Sequence, residues 1–125
     1  VRLLHAQVFG LLYNVLAFYE LYKDTKLENS ERSNSKNILD VWILARLDEL
    51  ITLSTENLDN YKLLEPTRAI RDFISDLSTW YLRRSRDRIK EEDQNAKATL
   101  YFVLKALAKL LLRKRLMERE KVLIC

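Results

Sequence analysis

Four long stretches of the chain repeat apolar residues at three- and four-residue steps, the spacing that lines one side of an α-helix. The first runs over about 2–23, where Leu4, Val8, Leu11, Leu12, Val15, Phe18, Tyr19 and Tyr22 form a stripe that Leu3, Leu16 and Leu21 widen. So broad a stripe predicts a helix pressed between neighbours. The second covers about 38–60, with Leu39, Trp42, Ile43, Leu47, Leu50, Ile51 and Leu58. Asn37 stands just before it and can accept from the backbone N–H of Asp40, whose own carboxylate falls in the first turn, where the helix dipole favours it. The third spans about 64–89 through Ile70, Phe73, Ile74, Leu77, Trp80 and Tyr81. Pro66 suits its first turn, because the N–H it lacks would have no partner there. The fourth, about 94–121, follows the acidic Glu91-Glu92-Asp93 and carries Leu100, Val103, Leu104, Leu107, Leu110 and Leu111.

Residues 24–37 hold one large apolar residue, Leu27, and read as a long polar loop. The other two connections are short, which makes sequential helices antiparallel neighbours. The expected fold is all-α, an up-down antiparallel four-helix bundle in one domain over 1–125. Composition agrees. A single glycine (Gly10) and a single proline leave too few turn formers for a β-sandwich or a doubly wound sheet.

Chemistry is scarce. One glycine excludes a glycine-rich phosphate loop, and the single histidine, His5, lies in an apolar helix without metal-ligating neighbours. Nucleophilic catalysis would have to be built on that same histidine, so we assign no catalytic residue and no metal. Cys125 is the sole cysteine and excludes an internal disulfide, which suits a reducing cytoplasm. Residues 3–19 lack Asp, Glu, Lys and Arg, yet Gln7 and Asn14 interrupt the run, and Arg2 and Glu20 bound it below the ~20 residues of a membrane span. A buried helix is the better reading, with no membrane partner.

The net charge of +4 is unevenly placed. Residues 20–60 hold nine acids against five bases, whereas 105–121 hold seven bases against two acids. Such asymmetry fits a face that meets a polyanion, although solvated helix faces can segregate charge too. The sharpest segment is Asp76-Leu77-Ser78-Thr79-Trp80-Tyr81-Leu82-Arg83-Arg84-Ser85-Arg86-Asp87-Arg88, with four arginines in six positions. Steps of ~100° per residue put Leu77, Trp80, Tyr81, Arg84 and Arg88 near one line. Arg84 is then expected at the core edge with an acidic partner, while Arg83 and Arg86 point elsewhere. The plainer reading is aromatic core followed by cations that favour a helix C-terminus.

Asp76 to Arg88 resembles the "DLSNWYVRRSR" helix of isoleucyl-tRNA synthetases, and Asp40-Val41-Trp42-Ile43-Leu44-Ala45-Arg46-Leu47 is similar to that family's "D-x-WIL-x-RL" segment. Leu58-Asp59-Asn60-Tyr61 and Ala69-Ile70-Arg71-Asp72-Phe73 fall where the family has a tyrosine turn and an "A-x-x-x-F" helix. The resemblance covers about 38–110 and, loosely, the first helix. Valyl relatives usually carry "WYIE" where this chain has Trp80-Tyr81-Leu82-Arg83, which favours the isoleucyl branch.

The resemblance implies an anticodon-binding bundle that packs on the anticodon stem of an isoleucine-accepting tRNA, beside the catalytic domain of a parent ligase that uses ATP. The parent's "HIGH" and "KMSKS" signatures have no counterpart here, so the chain would bind without catalysing and would hold no cofactor itself. The cytoplasm, or an organelle, is the implied location. On that footing, Arg83, Arg86, Arg88 and Lys90 are the expected phosphate contacts, with Lys109 and Arg113 on a second face. Trp42, Trp80, Tyr81 and Arg84 are expected to support the site from the core rather than to stack on bases. After Leu110 the family usually turns at prolines. Here the helix reads on to Cys125, and Val122, Leu123 and Ile124 suggest self-association. The competing reading is a helical interaction or oligomerisation module without nucleic acid.

Overall fold

The computed structural model describes residues 2–22, 35–91 and 93–124, with side chains for 9–22, 35–91 and 93–116. Most of the polar loop, the His5 side chain, Glu92 and the side chains of Val122, Leu123, Ile124 and Cys125 lie outside the described residues. Four helices account for nearly everything described, with no strand among them. They are α1 (Arg2–Tyr22), α2 (Ile38–Asp59), α3 over 64–90 and α4 (Gln94–Ile124).

Local chemistry explains where each helix begins and stops. The Asn37 side chain caps α2 by accepting from Leu39 N at 2.9 Å, one residue earlier than the Asp40 N–H expected from the sequence. Asp40 is engaged otherwise, as described below. At the other end of α2, Tyr61 takes a left-handed conformation with φ 58°. Its N–H donates to Leu58 O and that of Lys62 donates to Asn57 O, so the last carbonyls of the helix are satisfied by a Schellman turn with tyrosine where glycine is usual. Pro66 is buried in the first turn of α3, and Thr67 donates through its backbone N–H and its hydroxyl to Leu63 O.

The core is one cluster drawn from all four helices. Val15 comes from α1; Ile43, Leu44, Leu47 and Leu50 from α2; Ile70, Phe73, Ile74, Leu77, Tyr81, Leu82 and Ile89 from α3; and Ala96, Leu100, Val103, Leu107 and Leu110 from α4. Interhelical pairs fix which ends meet. Asp40 at the start of α2 meets Arg88 near the end of α3, and Arg46 Nη2 reaches Asp76 Oδ2 at 2.8 Å. Asp59 at the end of α2 pairs with Arg113 of α4.

Helix α1 departs from expectation. It packs on α3 and α4 and, over residues 9–22, buries only part of its apolar surface. Val15 is buried and Leu11, Leu12, Phe18, Tyr19 and Tyr22 partly so, but Leu16 and Leu21 are exposed, together with Phe9 and Tyr13. Over residues 9–22 the helix is covered along one side, not pressed between neighbours; the side chains of Leu3, Leu4 and Val8 lie outside the described residues. Gly10 lies within it, and a Cβ placed there would meet nothing within 4 Å. Because glycine costs helical backbone about 1 kcal/mol relative to alanine, Gly10→Ala is expected to stabilise the fold by about 0.5–1 kcal/mol. Chemical denaturation would show this as a higher midpoint at an unchanged slope.

Candidate nucleic-acid interface

Helix α3 is not uniform. It is α-helical over Leu64–Asp76, π-helical over Leu77–Leu82 and α-helical again over Arg83–Lys90. In the π-helical stretch, hydrogen bonds reach five residues instead of four, so each turn holds more residues. Everything after it is turned back relative to a regular helix. The buried line therefore continues from Leu77 through Tyr81, Leu82, Ser85 and Ile89. Ser85 occupies the inward position that regular spacing assigns to Arg84.

This shift corrects two sequence-based expectations. Trp80 is 52% exposed and does not support the core. Arg84 is also exposed and has no carboxylate partner among the described residues; its guanidinium carbon lies 4.4 Å from the centre of the Trp80 ring. An acidic partner goes to Arg88 instead. Arg88 Nη2 donates to Asp40 Oδ2 at 2.9 Å, Nη1 to Asp40 Oδ1 at 3.2 Å, and Nε to Asp93 Oδ2 at 3.2 Å. A guanidinium so held cannot also serve as a free phosphate ligand. Arg88 is a structural cation.

Asp40, fully removed from solvent, is the acceptor at the centre of this node. Besides Arg88, it accepts from the Tyr81 hydroxyl at 2.7 Å and from Ser35 Oγ at 2.6 Å. Burial, reinforced by the Asp40 charge and its hydrogen bond, pushes the Tyr81 phenol far above the usual tyrosine range. The hydrogen bond to Asp40 raises the Arg88 guanidinium further, against the opposing effect of burial. Asp93 extends the node into α4, because its Oδ1 accepts from Asn95 N at 3.0 Å and Ala96 N at 3.3 Å. One side chain thus caps α4 while holding Arg88. Trp42 is partly buried against the same core.

Sequence reasoning missed Asp40 and Asp93 as members of the site. It assigned an acidic partner to Arg84 although Arg88 shared the same line, and nothing local links positions 40 and 88.

Outside the node, Arg83, Arg84, Arg86 and Lys90 are exposed. None is held by a carboxylate among the described residues. The Arg86 guanidinium carbon lies 5.5 Å from the Phe18 ring centre, within the range where a cation is attracted to the ring face. Asp87 and Glu91 are the exposed acids alongside, so positive charge remains in surplus. Lys109 is exposed on α4, whereas Arg113 is paired with Asp59. Asp40 and Asp59 lie ~29 Å apart along α2 at 1.5 Å per residue, so their arginine partners mark opposite ends of that helix. The structure does not join Arg113 to the arginines of α3. Among the described residues, no group of His, Cys, Asp and Glu could hold a metal ion, and no helix is long and apolar enough to cross a membrane.

A helical bundle with exposed arginines that no described carboxylate holds has the makings of a polyanion-binding module. Residues 40–112 match the family described as the anticodon-binding domain of tRNA ligase, and the chain belongs to that family. Its relatives include isoleucine–tRNA ligases of Clostridium kluyveri, 41% identical over 106 residues, and of Thermus thermophilus, 40% identical over 111. A third, from Chlamydia muridarum, is 37% identical over 119. These alignments cover 78%, 82% and 84% of this chain, but only 10%, 11% and 11% of the relatives. The chain spans about a tenth of the length of the ligases it matches.

Two outcomes follow from the node. Asp40→Ala leaves Arg88 and Tyr81 without their shared acceptor, and breaking a buried pair by removing one member costs about 3–5 kcal/mol; thermal unfolding would register it as a large fall in Tm. The second outcome concerns alkaline pH. A phenol raised in the folded state contributes stability that is intact below its unfolded value of about 10 and lost as pH climbs toward the folded one. Stability measured through that window should decline less steeply in Tyr81→Phe than in the parent chain.

Proposed function

We propose that this domain binds the anticodon stem of a transfer RNA through the exposed arginines of α3, as a non-catalytic part of an isoleucine–tRNA ligase. The observation that carries the reading is the division of the arginine run. Arg88 is consumed by Asp40 and Asp93, while Arg83, Arg84 and Arg86 remain on the surface without carboxylate partners among the described residues. Lys90 extends their reach by one turn. Guanidinium groups suit this task because their fork of N–H donors matches phosphate oxygens, and the charge persists at every physiological pH. Family membership supports tRNA as the polyanion.

The name of the relatives supports an isoleucine-accepting tRNA, and the tenth of their length that this chain spans supports a catalytic domain elsewhere in the parent; ATP as that domain's ligand follows from the sequence resemblance alone. No cofactor is assigned to this chain. The parent would work where translation occurs, in the cytoplasm or an organelle. A helical interaction module without RNA is not favoured by the family match. Self-association could still accompany RNA binding, since Leu112 and Leu116 are exposed on α4 ahead of Val122–Ile124, and a mass that rises with concentration in light scattering would reveal it.

Binding through phosphates releases counterions, so the affinity for tRNA should fall linearly with salt on logarithmic axes. Arg83→Glu combined with Arg86→Glu is expected to weaken binding and to reduce that slope by about 0.9 for each phosphate left without its cation. Affinity and slope both unchanged in the double variant would overturn the assignment. Arg88→Gln should instead lower thermal stability, because its partners are inside the protein.

A further inference from the structure

The exposed arginines of α3 differ in what they rest on. Arg84 lies on Trp80, a ring of its own helix, whereas the guanidinium carbon of Arg86 lies 5.5 Å from the centre of the Phe18 ring, which α1 supplies. Phe18 is itself anchored. It is partly buried against the core, and its ring centre lies 4.9 Å from that of Tyr22. One residue on, Tyr19 stacks on Tyr101 of α4 with ring centres 6.0 Å apart, and Val15 is fully buried, so α1 is fastened to the bundle at this level.

What holds a cation decides whether it can still bind an anion. The carboxylates of Asp40 and Asp93 fix Arg88 by cancelling its charge and occupying its N–H donors. A phenyl ring attracts a guanidinium through the negative character of its face, yet it is neutral overall and carries no oxygen acceptor. Arg86 therefore keeps its charge and its fork of donors, while it gives up part of the rotamer freedom that phosphate binding would otherwise remove.

We propose that Phe18 is a positioning residue for RNA binding: it holds the Arg86 guanidinium at the seam between α1 and α3, ready for a phosphate. This rests on the RNA-binding reading above and extends the interface to α1, which precedes the matched residues 40–112.

The test is a double-variant cycle on tRNA affinity at fixed salt, with Phe18→Leu, Arg86→Gln and their combination. Phe18→Leu keeps an apolar side chain but removes the aromatic face. It should weaken tRNA binding about threefold to tenfold, the worth of ordering one long side chain in advance. Added to Arg86→Gln it should cost nothing more, whereas added to Arg83→Gln it should keep its full effect. A purely structural Phe18 would cost the same in every background. Phe18→Tyr, which retains a ring, should bind like the parent. Because Phe18 also touches the core, pentafluorophenylalanine at position 18 supplies a variant of similar shape whose ring face repels cations, and it should weaken binding as Phe18→Leu does. Unchanged affinity in both altered chains, or a loss of equal size with and without Arg86, would overturn the positioning role while leaving phosphate binding intact. No loss in Arg86→Gln itself would overturn the contact on which that role stands. A parent chain without salt-dependent tRNA affinity would instead overturn the RNA-binding reading.

Discussion

A carboxylate withdrawn from water must be compensated by nearly every donor it can reach, and Asp40 is placed so that those donors come from separate parts of the chain. Tyr81 and Arg88 approach from α3 and Ser35 from the residues preceding α2. Arg88 then carries the connection to Asp93, the cap of α4. Moving any one of these elements would strand a buried charge, whereas apolar contacts tolerate small sliding. The start of α2, the end of α3 and the start of α4 are therefore held in one arrangement. At the far end of α2, the Asp59–Arg113 pair is exposed and contributes far less to that restraint.

The π-helical turn decides that Ser85 rather than Arg84 faces inward. A regular helix from Leu77 would direct Arg84 inward. With the turn widened, Ser85 and not Arg84 faces the core, and the acid Asp40 is held by Arg88. The small serine leaves room where the Tyr81 phenol and the acid meet. Trp80, inside the widened turn, is exposed beneath Arg84. The inner order and the outer chemistry of α3 are thus two results of a single irregularity in its backbone.

The polar groups of this site divide between an inner acid and outer cations. The only fully buried carboxylate is that of Asp40 among the described residues, and it is saturated by hydrogen bonds within the protein. The outward groups are guanidiniums, an amine and an indole, which suit anions and flat rings. That character accords with a family defined by anticodon binding.

From its sequence alone the chain was readable as helical, because apolar spacing, a capping Asn37 and the scarcity of glycine are local properties. The segments around Trp42 and Trp80 were enough to indicate the family, since those words are short and contiguous. Partners distant along the chain were not legible. Asp40 and Arg88 meet across 48 positions, and only packing brings them together. Nor could the spacing reveal the widened turn at Leu77–Leu82, because regular periodicity presumes the very geometry that it breaks. The sequence supplied the arginines and the indole; tertiary structure decided which of them face the water, since burial is settled by neighbouring helices rather than by order along the chain.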